Sequence, residues 1–206
     1  LVFVAEVDDQ AEADALTAVV DNDARINAVA TKRHTFAEKL NDGIAGIEEP
    51  WVLVIGDDVR FHEGWLEAAR AKSAEFDVIG TNDTANGKVK NPKVASGAHA
   101  DHFFVRRAYV DEHGGCLDGP GILAPECYQH WHTDTEIVKL AKARGVFTPC
   151  LDSVVEHLHP AYDGREDLRR ADPTYMLAMK SGAADEETWK KRRPLVEQHR
   201  TTRAKV

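Results

Sequence analysis

The stretch Trp51-Val52-Leu53-Val54-Ile55-Gly56-Asp57-Asp58 decides the fold. Five consecutive apolar residues leave no polar face, so the segment reads as a strand buried on both sides. Gly56 stops the run and two carboxylates follow, at the strand end where open α/β sheets place ligands. Upstream, Phe36, Leu40, Ile44 and Ile47 recur at steps of four, four and three, which makes one apolar stripe on a helix. Downstream, residues 63–74 have helical composition and Phe76-Asp77-Val78-Ile79-Gly80 reads as a short strand. Residues 1–7 form another apolar strand, ended by Asp8-Asp9 and followed by helix-forming residues 11–20. Strand, helix, strand, helix, strand implies an α/β domain on a largely parallel sheet.

Residues 81–100 are polar and rich in Gly and Asn, and read as a long loop. A strand over 102–106 and a short helix over 107–113, stopped by Gly114-Gly115, come next. Two prolines and two glycines make residues 118–129 a second loop. A helix over 133–143 and a strand over 147–157 complete a domain of residues 1–160. Residues 161–206 are charged and helical in composition, with a basic cluster at Lys190-Lys191-Arg192-Arg193. They read as an extension serving as a lid, an oligomer contact or an appendage. No internal repeat is visible.

Composition narrows the classes. Among 206 residues, 35 are acidic and 26 basic, and the net charge of -9 excludes a generic nucleic-acid binder, which needs a basic surface. No apolar run approaches the length of a membrane span. Cys116, Cys127 and Cys150 are an odd number without a CxxC pair, so free thiols in a reducing, cytoplasmic compartment are expected. The apolar start at Leu1 is too short for a signal peptide and has no basic segment before it.

Three clusters could carry chemistry. Asp57 and Asp58 suit a hard divalent cation, which offsets their mutual repulsion; a solvated turn or helix cap is the plainer reading. In Glu156-His157-Leu158-His159-Pro160, the i and i+2 histidines of an extended segment point to one side, and both could meet one metal. A mixed carboxylate–imidazole sphere points to Mn²⁺ more than Ca²⁺. A zinc hydrolase fits less well, since no third His stands at ligand spacing. In Trp131-His132-Thr133-Asp134-Thr135-Glu136, Thr133 is the expected N-cap, with Asp134 and Glu136 in the first turn. Those acids suit the helix dipole, or one serves as a general base. Beside them Trp131 could stack on a sugar, with His132 in the same loop. Asp8-Asp9, and Asn82 with Asp83, could accept hydrogen bonds from a base or ribose, or simply end their strands.

Taken in order, several pieces resemble a GT-A glycosyltransferase, close to glycosyltransferase family 2 and its compact phage and bacterial relatives. They are Val7-Asp8-Asp9, Asn41-Asp42-Gly43-Ile44, Val54-Ile55-Gly56-Asp57-Asp58, Gly114-Gly115, Asp134-Thr135-Glu136 and Val155-Glu156-His157-Leu158-His159-Pro160. The resemblance covers about residues 1–160 and implies a Rossmann-like GT-A sheet, mixed but mostly parallel, whose first strand would lie upstream of Leu1. It implies that Asp8 or Asp9 meets the donor base and that Asn41, Trp131 and His132 belong to the nucleotide-sugar site. Asp57 would contact the ribose. Asp58 and His157, with His159 competing, would hold Mn²⁺ or Mg²⁺, and Asp134 would be the base of an inverting transfer. Thr133 stands where the family has Glu, and Leu40 where it often has Arg. The implied partners are a nucleotide-diphosphate sugar, UDP-linked by preference, and a hydroxyl acceptor on a glycan, protein or lipid-linked sugar. Assembly into a homo-oligomer is left open. Two other readings compete: a sugar-1-phosphate nucleotidyltransferase, and a non-catalytic module binding sugars or a partner.

Overall fold

A computed structural model describes residues 2–6, 10–22, 27–56, 58–85, 88–89, 92–158 and 173–200. The chain opens with a parallel βαβ unit: β1 (Val2–Glu6), α1 (Gln10–Asn22) and β2 (Asn27–Thr31), with Val4 opposite Val29. Next comes α2 (Phe36–Ala45), started by a capping box in which Thr35 Oγ1 accepts the Glu38 N–H and Glu38 accepts the Thr35 N–H. The main sheet follows. It contains β3 (Trp51–Val54), β4 (Val59–Phe61), then helix α3 (Trp65–Arg70), and β5 (Val78–Ala85). Next are β6 (Lys88–Val89), the single turn α4 (Pro92–Ala95), β7 (Phe103–Arg106) and α5 (Arg107–His113). Helix α6 (Thr133–Arg144), β8 (Phe147–His157) and the long α7 (Pro173–Gln198) complete the described elements.

The protein is mixed α/β, with strand order β3–β7–β5–β8–β4 and β6 paired to the far end of β5. Of these pairings only β5–β8 is parallel; the rest are antiparallel. This corrects the expectation of a largely parallel sheet. Continuous apolar runs report burial on both faces, and that condition is met by an antiparallel strand under helices as well as by a parallel one. A second correction concerns β5, which does not stop at Gly80. It continues through Thr81-Asn82-Asp83-Thr84, residues read above as a loop; Thr81, Asp83 and Thr84 are buried there and Asn82 is half-buried.

Alternation along the strands makes three layers. Val78, Phe103 and Val105 face Ile44 of α2, Val110 of α5 and Ile137, Val138 and Ala141 of α6. Ile79 and Phe104 face the other way, onto α3 with Leu53, Trp65 and Leu66. Each large side chain buried here contributes about 1.5–3 kcal/mol. Gly80 lets the loop before β7 cross close over the sheet: a Cβ there would meet the Ala100 Cβ at 2.6 Å. That approach brings residues 99–102 over the end of β5.

The C-terminal segment is not a loose appendage where it is described. Trp189 and Val196 of α7 pack with Tyr128 and with Leu140 of α6. Among the described residues no helix is long and apolar enough to cross a membrane.

Candidate functional site

Sheet pairing brings the first cluster together. Antiparallel β4 and β8 set Val59 opposite His157, and the Leu158 N–H donates to the Asp58 carbonyl at 2.7 Å. Asp58 therefore lies beside His157, with Oδ2 at 3.1 Å from Nε2. The parallel β5–β8 pairing sets Asp83 opposite Val155, two residues before His157 and so on the same side of the strand. Asp83 Oδ2 is 3.7 Å from His157 Nδ1, an electrostatic contact too long for a hydrogen bond, and its side chain is fully buried. The imidazole thus spans two carboxylates contributed by two other strand ends. His102 meets the same ring edge-on, with centroids 5.2 Å apart.

A second cluster lies on the same loop as His102. His99 Nε2 is 3.1 Å from Asp101 Oδ1 and 3.0 Å from Asp134 Oδ2. Asp134 is in the first turn of α6, and its Oδ1 accepts the Thr135 N–H at 2.6 Å, which turns Oδ2 towards His99. The loop itself is tied down: the Ala98 and His99 N–H groups donate to the Lys93 carbonyl, and Lys142 Nζ donates to the carbonyls of Gly97 and Ala98. Burial opposes a charge on His99, but the hydrogen bonds to Asp101 and Asp134 outweigh it, and its pKa is pushed up to about 9. The ligand atoms of His99, Asp101 and Asp134 lie within 4.8 Å of one another, a spacing at which they could hold one ion.

The other expected residues of this helix start have different surroundings. Glu136 is fully buried, and both its oxygens meet Arg192 of α7 at 2.7 Å. The Tyr128 hydroxyl and the Leu117 N–H also donate to it. The Glu136 hydrogen bond raises the Arg192 pKa, and burial raises that of Tyr128, so the guanidinium stays charged beside a neutral phenol. Glu136 joins α6 to α7. It does not converge with Asp134 and His99.

Thr133 is not the N-cap. That position belongs to His132, a non-glycine residue at φ 70°, with no side-chain cap bond. Such a conformation persists where its surroundings fix it, and α7 does so here. The Asp185 carboxylate accepts the N–H groups of Gln129, His130 and Trp131. His132 stacks on Trp189 at 5.8 Å and its Nε2 meets Glu186 at 3.0 Å. Trp131 keeps 47% of its surface exposed. Asn41 closes a different loop: its Oδ1 accepts the N–H groups of Leu123 and Ala124, and its Nδ2 donates to the Ala124 carbonyl and to Glu126.

Asp8, Asp9, Asp57 and His159 lie outside the described residues. A depression of about 470 Å³ lined by Tyr109, His113, Arg144 and His199 shares no residue with either cluster, and its Arg144 is committed to Tyr109 and to the carbonyls of His113 and Gly114. We place the site at the carboxylate–imidazole clusters, because they bring reactive groups together and the depression does not. His99, Asp101 and His102 were missed as site residues by sequence reasoning. Their signal was present: three ligand-type side chains in four positions, directly before the apolar Phe103-Phe104-Val105. No protein-family model matches the chain, and no curated protein matches it.

Proposed function

We propose that the chain is a metal-dependent glycosyltransferase of the GT-A type, transferring a sugar from a nucleotide-diphosphate donor to a hydroxyl acceptor with inversion. One observation carries this reading. Asp58 and His157, 99 positions apart, approach to 3.1 Å, and the buried Asp83 stands on the other nitrogen of the same ring.

A carboxylate–imidazole pair fits Mn²⁺, or Mg²⁺ with more waters retained. When bound, such an ion offsets the charge that develops on a leaving diphosphate. Asp58 and His157 are the protein groups that would hold it. Asp83, 3.7 Å from the other ring nitrogen, acts on the imidazole through its charge and not through a hydrogen bond. Asp134, with its side chain 32% exposed, serves as the base that takes the acceptor hydroxyl proton. Trp131, 47% exposed, presents indole surface on which a sugar could stack.

The test is a thermal-shift screen of UDP-, GDP- and dTDP-sugars, each with Mn²⁺ and with EDTA. A ligand that binds only the folded state raises the unfolding midpoint by mass action. A rise with one nucleotide, abolished by EDTA and by Asp58→Ala, is expected. His157→Ala should weaken Mn²⁺ binding more than His159→Ala. No shift with any donor would refute the proposal.

A further inference from the structure

We propose that His99, Asp101 and Asp134 form a divalent-cation site of their own, distinct from Asp58 and His157. The geometry points to an ion because both carboxylates address the same ring nitrogen. His99 Nε2 lies 3.1 Å from Asp101 Oδ1 and 3.0 Å from Asp134 Oδ2. A proton relay through an imidazole uses its two nitrogens for two partners. Here a single N–H would have to be shared between two anionic acceptors. A cation at the convergence point meets all three atoms at once, and they already lie within 4.8 Å of one another.

The set is also preorganised. The His99 side chain is 10% exposed, its backbone N–H is bound to the Lys93 carbonyl, and Lys142 holds the two preceding carbonyls. Ala100, fully buried, seats the loop against Gly80. On the opposite side, the Thr135 N–H fixes the Asp134 carboxylate with one oxygen directed at His99. Little ordering therefore remains for ion binding to impose.

One nitrogen and two carboxylate oxygens suit Mn²⁺ or Zn²⁺ better than Ca²⁺. Three protein ligands leave coordination positions for water or a substrate hydroxyl, whose pKa falls on binding. The ligand class is thus a hydroxyl-bearing molecule presented through a cation. With the ion in place Asp134 would be a ligand, which removes it from the free-base role proposed above and leaves the acidification of the acceptor hydroxyl to the cation. The site does not rest on glycosyl transfer, since its existence depends only on these three side chains.

The experiment is calorimetric titration of the full chain with Mn²⁺ alone, in the wild type and in His99→Gln, Asp101→Asn, Asp58→Ala and His157→Ala. Thermal unfolding in EDTA checks that each variant folds. Two ions are expected in the wild type. His99→Gln and Asp101→Asn should each weaken one of them by roughly tenfold or more and spare the other; Asp58→Ala and His157→Ala should do the converse. A single ion lost in Asp58→Ala and His157→Ala but untouched in His99→Gln and Asp101→Asn would overturn this site while leaving the donor-metal reading standing. A single ion with the opposite pattern would establish this site and remove the other. No Mn²⁺ binding in the wild type would overturn both.

Discussion

Glu136 and Asp83 are both fully buried carboxylates, yet their surroundings differ in kind. Glu136 is gripped by both arms of the Arg192 guanidinium and further satisfied by Tyr128 and Leu117. Asp83 faces the His157 imidazole, which leans in turn on Asp58. A guanidinium never gives up its proton and its fork matches a carboxylate, so the first arrangement is closed. An imidazole can exchange a proton for a metal ion, so the second remains open to chemistry. Burial of an acid does not mark a site; the partner that faces it does.

The largest effect should come from breaking the closed cluster. Arg192→Met leaves Glu136 buried without its cation, and urea unfolding should show a loss of about 3–5 kcal/mol. Pairing it with Glu136→Gln should return much of that loss, because no uncompensated charge then remains. Asp185→Ala removes the acceptor of three consecutive N–H groups, and should cost on the order of 1–3 kcal/mol in the same measurement.

The open clusters should respond to pH instead. His99 has its pKa raised from an ordinary value near 6.5 to about 9, so the folded state holds the proton more tightly than the unfolded chain. Its contribution to stability in EDTA is fully present below pH 6.5 and disappears as pH rises through about 9. At most this amounts to roughly 3 kcal/mol. His99→Gln should flatten that part of the stability profile, and an unchanged slope would remove His99 from the account. The smallest stability change should follow Asp58→Asn, within about 1 kcal/mol, since this carboxylate is partly exposed and its pairing with His157 is partly screened.

The sequence made some of this legible and hid the rest for physical reasons. The stripe Phe36, Leu40 and Ile44 could be read because burial on a defined face imposes a period. Strand direction could not, because both pairings bury the same residues. The second half of β5 was hidden by its own chemistry: Thr81, Asp83 and Thr84 look like a solvated loop, and only the fold covers them. Asp58 with His157 was implied by a resemblance across 99 positions, and their pairing follows from the β4–β8 register. Asp134 was legible as a helix-start acid and His99 as one of three ligand-type residues in four positions, but their pairing was not, since no local spacing links a loop to a helix 35 residues later. Glu136 occupies an equivalent-looking place in the same turn. The α7 residue that closes it lies 56 positions away, beyond any local pattern.

The most direct test measures two quantities on two variants: unfolding free energy, and Mn²⁺-dependent binding of UDP, GDP and dTDP. Asp58→Asn should abolish the nucleotide binding seen in the wild type and keep its stability. Glu136→Gln should lose stability and keep that binding. If Asp58→Asn binds like the wild type, or if Glu136→Gln remains stable but no longer binds, the division between the closed and the open cluster is contradicted.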